Sequence, residues 1–334
     1  MKINILAMLT FLMLLMGCTS EKRMVTIGFW NVENLFDLVD DPEKNDEEFA
    51  LGGRKNVTRE IFNLKLDQMS FVLSDLNADI LGLCEVENRD VLDSLNNRFT
   101  NRDYSIIHFD SPDERGIDNA LLYDANVFSV ADSRVIPIPF EKSRPTRDIL
   151  YVHGFIKQKD VHLFINHWPS NYYGVEQAIP RRIKTANILR ARVDELLAKD
   201  PGAEIIIMGD FNENPGDTAV GSILRSSVDR ELVISGQGSF LWDGMGKFVG
   251  VENGGTYKYR GKDNILDHII VSLGILDKRN ISMVPGSIRI IDKSEYRQQE
   301  GTYAGYPFRF WAGDSLLGGY SDHLAVSIKI RIKD

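Results

Sequence analysis

The chain has 334 residues, 43% hydrophobic and 26% charged, which excludes a disordered polypeptide and fits a folded protein with a sizeable core. With 39 Lys and Arg against 48 Asp and Glu, the formal charge is -9, so a broad basic footprint for a polyanion is excluded and any such contact must be local or screened by a bound cation. Two cysteines, Cys18 and Cys84, without CxxC spacing exclude a disulfide framework and a zinc ribbon.

Met1 to Met16 carries a charged start, Lys2, and an apolar run from Ile5, too short to span a bilayer comfortably and matching the apolar core of a secretory signal. It ends in Leu15-Met16-Gly17-Cys18, which resembles a bacterial lipoprotein signal. The expectation is therefore an exported protein: residues 1–17 removed, Cys18 lipidated and holding the chain at the cell envelope, 18–24 a tether, and 25–334 one folded domain. A plain signal peptide or an uncleaved anchor helix is the alternative. Strand signals follow at Val25–Trp30, Asp79–Cys84, Asn119–Tyr123, Leu150–Ile156, His162–Asn166, Glu204–Met208, Ile269–Ser272 and Leu324–Ile330, the last alternating with period two. Helical periodicity covers Val57–Leu76 and Arg181–Ala198, where Ile183, Ala186, Leu189, Val193, Leu196 and Leu197 share a face. The glycine-rich stretch 226–255 reads as an irregular loop or insertion. Strands in excess of helices predict a layered α/β domain with mixed sheets, and a monomer. Cys84, inside an apolar strand, reads as a small buried hydrophobe.

Polar residues cluster at the strand ends. Ile80 to Cys84 finishes in Glu85, and Ile205 to Met208 runs through Gly209 into Asp210-Phe211-Asn212. Asp267-His268 and Asp322-His323 stand just before apolar strands, and Asn31-Val32-Glu33-Asn34 follows the first. In a mixed or antiparallel sheet the start of one strand lies beside the end of its neighbour, so these clusters fit on one rim. Converging carboxylates repel one another, and a hard divalent cation removes that penalty: Mg²⁺, with Mn²⁺ or Ca²⁺ as substitutes, takes oxygen ligands of the kind that Asn31, Glu85 and Asp322 offer. His167 and His323 are then acid–base or phosphate-facing groups, since imidazole is a poor partner for Mg²⁺. Asp267 is placed to hold His323 in one tautomer, and Asp210 to orient or deprotonate a water. Taken singly, each residue is more simply a turn residue, a cap or a packed histidine, the reading kept for His108, His153 and His162.

Phe29-Trp30-Asn31-Val32-Glu33-Asn34-Leu35, Leu83-Cys84-Glu85-Val86-Glu87-Asn88, Asn166-His167-Trp168-Pro169-Ser170, Gly209-Asp210-Phe211-Asn212, Leu266-Asp267-His268 and Ser321-Asp322-His323 together resemble, in order and over nearly all of Val25 to Ile332, the endonuclease/exonuclease/phosphatase family, the superfamily of deoxyribonuclease I. The resemblance implies a four-layer α/β/β/α sandwich of two packed mixed sheets with the site at one end. It implies Asn31 and Glu85 as metal-side ligands with Asp322 close by, Asp210 and Asn212 handling the water and the scissile phosphate, His323 with Asp267 at the leaving group, and His167 acting from the opposite side. The implied reaction is hydrolysis of a phosphate ester by in-line attack of water. Asn171-Tyr172-Tyr173 stands where members often carry an arginine, and Arg115 is assigned to substrate binding.

Three functions fit. The first is a Mg²⁺-dependent phosphodiesterase of nuclease type, with nucleic acid as partner and Lys258-Tyr259-Arg260-Gly261-Lys262 offering an aromatic for base stacking; the other basic cluster, Arg181-Arg182-Ile183-Lys184, reads as a solvated helix face. The second is a phospholipid or inositol-phosphate hydrolase, which a lipid anchor and the aromatic run Phe240-Leu241-Trp242 would suit. The third is an envelope lipoprotein that keeps the fold without the chemistry, disfavoured because Asp210 and His323 are both present. No GxSxG, HExxH or P-loop competes.

Overall fold

The computed structural model describes residues 24–140, 144–236, 239–277 and 279–333. The expected signal, Cys18 and most of the tether lie outside them. Among the described residues no helix is long and apolar enough to cross a membrane.

Two seven-stranded sheets carry the fold. The first contains β1 (Met24–Leu35), β2 (Ile80–Val86), β3 (Ser105–His108), β4 (Asp118–Tyr123) and, at the other edge, β14 (Ile281–Met283), β15 (Arg289–Ile290) and β18 (Val326–Ile332). Its order is β14-β18-β1-β2-β4-β3, with β15 also on β18. The second runs β5-β6-β7-β8-β13-β10-β9, from β5 (Ser129–Ile136), β6 (Ile149–Ile156), β7 (Lys159–His167) and β8 (Ile205–Asp210) to β13 (Asp267–Val271), β10 (Leu241–Asp243) and β9 (Ser226–Ser227). Both sheets are mixed: β1 is parallel to β2 and β7 to β8, while β18 and β13 run antiparallel to β1 and β8.

Alternation along each strand sorts side chains between two layers. Val25, Ile27 and Phe29 of β1, Leu163 and Ile165 of β7, Ile206 and Met208 of β8, Ile269 and Val271 of β13, and Ile328 and Ile330 of β18 meet between the sheets in one dry core, which also buries Cys84. The opposite face of the first sheet, through Trp30, Val32, Leu81 and Leu83, receives Leu66, Met69, Val72 and Leu73 of helix Arg59–Leu76 and Val91, Leu92 and Leu95 of helix Arg89–Asn96. Helix Val175–Lys199 covers the outer face of the second sheet with Ala186, Leu189 and Val193 against Ile205 and Ile207. The layers are helix, sheet, sheet, helix, as expected.

Thr58 starts the first helix by accepting from the N–H of Ile61 at 3.3 Å, and Asn77, left-handed at φ 44°, ends it. Helix Val175–Lys199 begins six residues before the periodic stretch, and Pro180 lies inside it. The segment 226–255 is not irregular throughout. Ser226–Ser227 and Leu241–Asp243 extend the second sheet, and Asp243 Oδ2 reaches Nδ1 of the buried His268 at 2.8 Å. Its aromatic run is partly spent there too: Leu241 is buried, and the half-buried Phe240 and Trp242 pack onto the core.

Candidate active site

The inward-facing series of several strands end in polar residues at one end of the sandwich. In β1 the members Val25, Ile27, Phe29 are followed by Asn31; in β7 Leu163, Ile165 by His167; in β8 Ile206, Met208 by Asp210; β13 opens with Asp267. The register brings them level, His167 opposite Asp210 and Asp210 opposite Asp267. Asn31 then bridges the sheets, its Nδ2 donating to Asp210 Oδ2 at 3.0 Å. Glu85 arrives differently: β2 shifts register between Cys84 and Val86, and Glu85 takes φ 62°, a bulge that re-aims its side chain. Asn31, Glu85, Arg115, His167, Asp210, Asn212, Tyr257, Asp322 and His323 all line one cavity of about 860 Å³.

Asp210 is buried at the centre. Its Oδ1 accepts from the Asn212 N–H at 2.9 Å, and Nε2 of His167 and of His323 stand 3.7 and 3.8 Å from its Oδ2. Burial raises its carboxyl to about 7, assisted by Asp267 and opposed by His323. His323 Nδ1 lies 2.7 Å from Asp267 Oδ2, so its Nε2 faces Asp210 and the cavity. Burial alone would push His323 down, but Asp267 and then Asp210 outweigh it and hold the imidazole well above its ordinary value. His167 goes the other way, well below, through burial first and then Arg147, Arg115 and His323. Its Nε2 is 3.8 Å from Glu85 Oε1, beyond hydrogen-bonding distance. One rim therefore holds two imidazoles shifted in opposite directions on either side of one carboxylate. Asn212, left-handed at φ 51°, donates from Nδ2 to the Trp168 carbonyl at 3.0 Å.

The expected metal-side oxygens fit a hard divalent cation. Asn31, Glu85 and Asp322 all line the same cavity, and oxygen donors of this kind suit Mg²⁺. Part of that set is already engaged: Glu85 Oε2 accepts from the Asn34 N–H, Asn31 Oδ1 from the Glu33 N–H, and Asp322 Oδ2 from Arg309 Nη2 at 2.6 Å. Asp210, Asp267 and His323 also place one ligand atom each within 4.8 Å of one another, and Asp267 Oδ1 is buried without a partner among the described residues.

Tyr257 and Lys65, at and beneath the site, carry no motif, and Glu33, inside one, has no role of its own in it. Tyr257, from β11 (Tyr257–Tyr259), bridges to the His323 backbone with its ring 4.8 Å away, and burial raises its phenol to about 12. Lys65 and Glu33 form a buried charged layer below the rim. Lys65 Nζ donates to the carbonyls of Val32 at 2.6 Å and Tyr320 at 3.0 Å, and Glu33 accepts the N–H groups of Phe310 at 2.7 Å and Trp311 at 2.9 Å. Burial lowers Lys65 to about 8 and, together with Asp322, raises Glu33 to about 7. Lys65 was findable in principle, since it falls on the apolar stripe of its helix beside Leu66 and Met69.

Arg182 corrects the reading of its cluster as a solvated face. It is buried, with Nε donating to Glu213 Oε1 at 2.9 Å and Nη1 to the Pro169 carbonyl and Asn171 Oδ1, because the helix turns this residue under the cavity. The second basic cluster forms a hairpin, β11 with β12 (Lys262–Asn264), turning at left-handed Arg260 and Gly261. Its Tyr259 lines the cavity. His108 sits against Asp118 at 2.9 Å, and His153 and His162 stack on each other; none of the three lines the cavity.

A family model described as the Endonuclease/Exonuclease/phosphatase family matches residues 26–332. The chain belongs to that family. Solved structures similar to this member include truncated Caenorhabditis elegans TDP2, at 19% identity and TM-score 0.55, covering 93% of this chain and 98% of that one. A Bacteroides thetaiotaomicron mannosyl-6-phosphatase matches at 16% identity and TM-score 0.57, covering 92% and 99%. D. rerio TDP2 complexed with a single strand DNA product matches at 14% identity and TM-score 0.54, again covering 92% and 99%. These identities establish a shared fold, and no curated protein matches the chain. Family membership makes it a hydrolase of the metal-dependent phosphoester class.

Proposed function

We propose that this family member is a Mg²⁺-dependent phosphodiesterase acting on nucleic acid, with Mn²⁺ or Ca²⁺ as substitutes. The observation that carries the reading is the pairing on one rim of a buried carboxylate, Asp210, with a histidine, His323, whose far nitrogen is held by a second buried carboxylate, Asp267. That arrangement suits displacement at phosphorus by water. Asp210 orients the attacking water and accepts its proton at the carboxylate, and Asn31 fixes the Asp210 carboxylate by its 3.0 Å bond. His323, a donor at Nε2 when Asp267 holds Nδ1, delivers a proton or a hydrogen bond to the departing oxygen. His167 and Asn212 contact the non-bridging phosphate oxygens, and Arg115, whose Nε lies 3.7 Å from Asp113, supplies positive charge at the cavity edge. Glu85, Asn31 and Asp322 would hold the cation, which when bound would supply charge neutralisation on the phosphate. No covalent intermediate is needed.

A DNA-bound and a phosphatase-named structure share the fold, which keeps small phosphomonoesters as the second reading. The exposed Tyr172 and Tyr259 at the cavity favour a substrate with bases to stack. We further propose that the protein is exported and tethered at Cys18 as a monomer. The test is nicking of supercoiled plasmid by the domain from Thr19 onward, with and without Mg²⁺, beside His323→Ala. Metal-dependent nicking lost in the variant supports the nuclease reading. Intact plasmid with folded protein that still releases phosphate from a sugar phosphate overturns it in favour of the phosphatase.

A further inference from the structure

A second cleft of about 310 Å³ opens beside the reaction cavity, and Arg115, Ser170 and Tyr172 stand in the walls of both. Arg144, Arg147 and Arg181 complete its basic wall, against Asp113 and Glu114. Among the described residues, four guanidinium groups to two carboxylates is a local reversal of sign on a chain whose formal charge is -9. Asp113 is committed to Arg147, 3.0 Å from its Nη1. Arg144 Nη1 donates to Gln177 Oε1 at 2.6 Å and Arg181 Nη2 to the Arg144 carbonyl at 2.9 Å, contacts that tie both side chains to the cleft. Thr146 Oγ1 and Arg147 Nε, in residues of the same wall, are buried without a hydrogen-bond partner among the described residues. Helix Val175–Lys199 starts at this boundary from Gly174 with Glu176 in its first turn, so the arginines rather than the helix end carry the positive potential there.

We propose that this cleft is a subsite for a second phosphate group of the substrate, covalently joined to the phosphate being hydrolysed. The inference rests on the phosphodiesterase reading and sharpens it: the preferred substrate carries at least two phosphates. Planar guanidinium groups recognise phosphate oxygens in pairs, and Tyr172, 85% exposed between the two cavities, offers a face to the base or sugar that joins them. An oligonucleotide and a small bisphosphate both present this chemistry.

The test compares wild type, Arg144→Ala and Arg144→Ala/Arg181→Ala by two readouts. Arg144 is exposed, so its single variant keeps the fold even if the double variant does not. Binding of a labelled single-stranded oligothymidylate is followed in EDTA, which reads the cleft whether or not the protein hydrolyses anything. The expected result is affinity roughly tenfold weaker in the double variant and severalfold in the single one, with a salt slope smaller by about 1 to 2. Turnover of bis(p-nitrophenyl) phosphate, which has one phosphate, is then set against turnover of the oligonucleotide with Mg²⁺. The variants raise KM for the oligonucleotide at least tenfold more than KM for the single-phosphate diester. Fructose 1,6-bisphosphate as competitor distinguishes the source: arginine-dependent competition assigns the subsite to small bisphosphates, and its lack assigns it to nucleic acid. Unchanged oligonucleotide affinity and equal KM effects on the two substrates would overturn the subsite. Failure of wild type to hydrolyse either ester would instead sink the phosphodiesterase reading, with the EDTA binding still deciding the cleft.

Discussion

Lys65 gives the most informative perturbation because it touches no substrate. Its ammonium is fully enclosed, donating to the Val32 carbonyl next to Asn31 and to the Tyr320 carbonyl two residues before Asp322. It therefore staples the two segments that bring Asn31 and Asp322 to the rim. Lys65→Met keeps the stem and removes the charge. Two charge-assisted bonds are lost, each worth about 1.5–3 kcal/mol. Relief of the ammonium's own desolvation offsets part of this, while Glu33 is left buried with only backbone partners, so the net cost is about 3–5 kcal/mol. That lowers the melting temperature on the order of 10 °C. Urea unfolding at constant slope measures it, with Glu33→Gln and the double variant completing the cycle; the double variant falls short of the summed singles by at least about 1 kcal/mol. Turnover falls too, since rim residues shifted by an ångström lose about 10²-fold. A Lys65→Met protein within about 1 kcal/mol of wild type, or additive singles, would refute the view that this layer is a coupled charge pair holding the rim.

The site and its supports make further outcomes measurable. Asp267→Asn removes the charge on His323 Nδ1 and lowers kcat by about 10² or more while leaving substrate KM nearly unchanged in steady-state assays. Gly209→Ala would put a Cβ 2.4 Å from the Asn166 carbonyl oxygen between the parallel strands β7 and β8, costing about 1–3 kcal/mol in denaturant titration and displacing Asp210. Removal of divalent ions by EDTA abolishes hydrolysis and Mg²⁺ restores it, while the circular dichroism spectrum stays the same because the rim is already cross-linked by protein hydrogen bonds. His162 is lowered from 6.5 to about 4 by burial and then by His153. The unfolded chain takes up this proton below pH 6.5 and the folded one resists until about 4, so stability falls across that window as pH drops. Discounted for the partly exposed ring, the loss is about 1–2 kcal/mol and is flattened in His162→Gln, as pH-dependent melting would record.

Most of the rim was legible because it obeys a parity rule. Where a strand buries alternate residues against a partner sheet, the next member of the inward series after the last apolar one must face the end of the sandwich. A polar residue there is a candidate site residue by position, and Asn31, His167 and Asp210 all satisfy this and line the cavity, while Asp267 opens its strand and holds His323 from behind. Short edge elements were not legible, since β5 exposes most of its length and β9 and β10 have two and three residues, too few to show a period. Charges that work through backbone carbonyls, as Lys65 does, leave no motif because their partners have no side-chain identity. Glu85 is the instructive exception. Counting alternation along β2, Leu81 and Leu83 pack outward against the helices, and Glu85 should follow them away from the cavity. The register shift and φ of 62° reverse it, and Val86 resumes the outward series one residue later. Glutamate has no preference for left-handed backbone, so nothing local in the sequence announces the turn. The strain is borne because the Asn34 N–H binds the carboxylate from β1, itself bulged at Glu33 and Asn34. The two bulges thus support each other across a parallel pair, and the placing of Glu85 in the cavity wall depends on both strands kinking together.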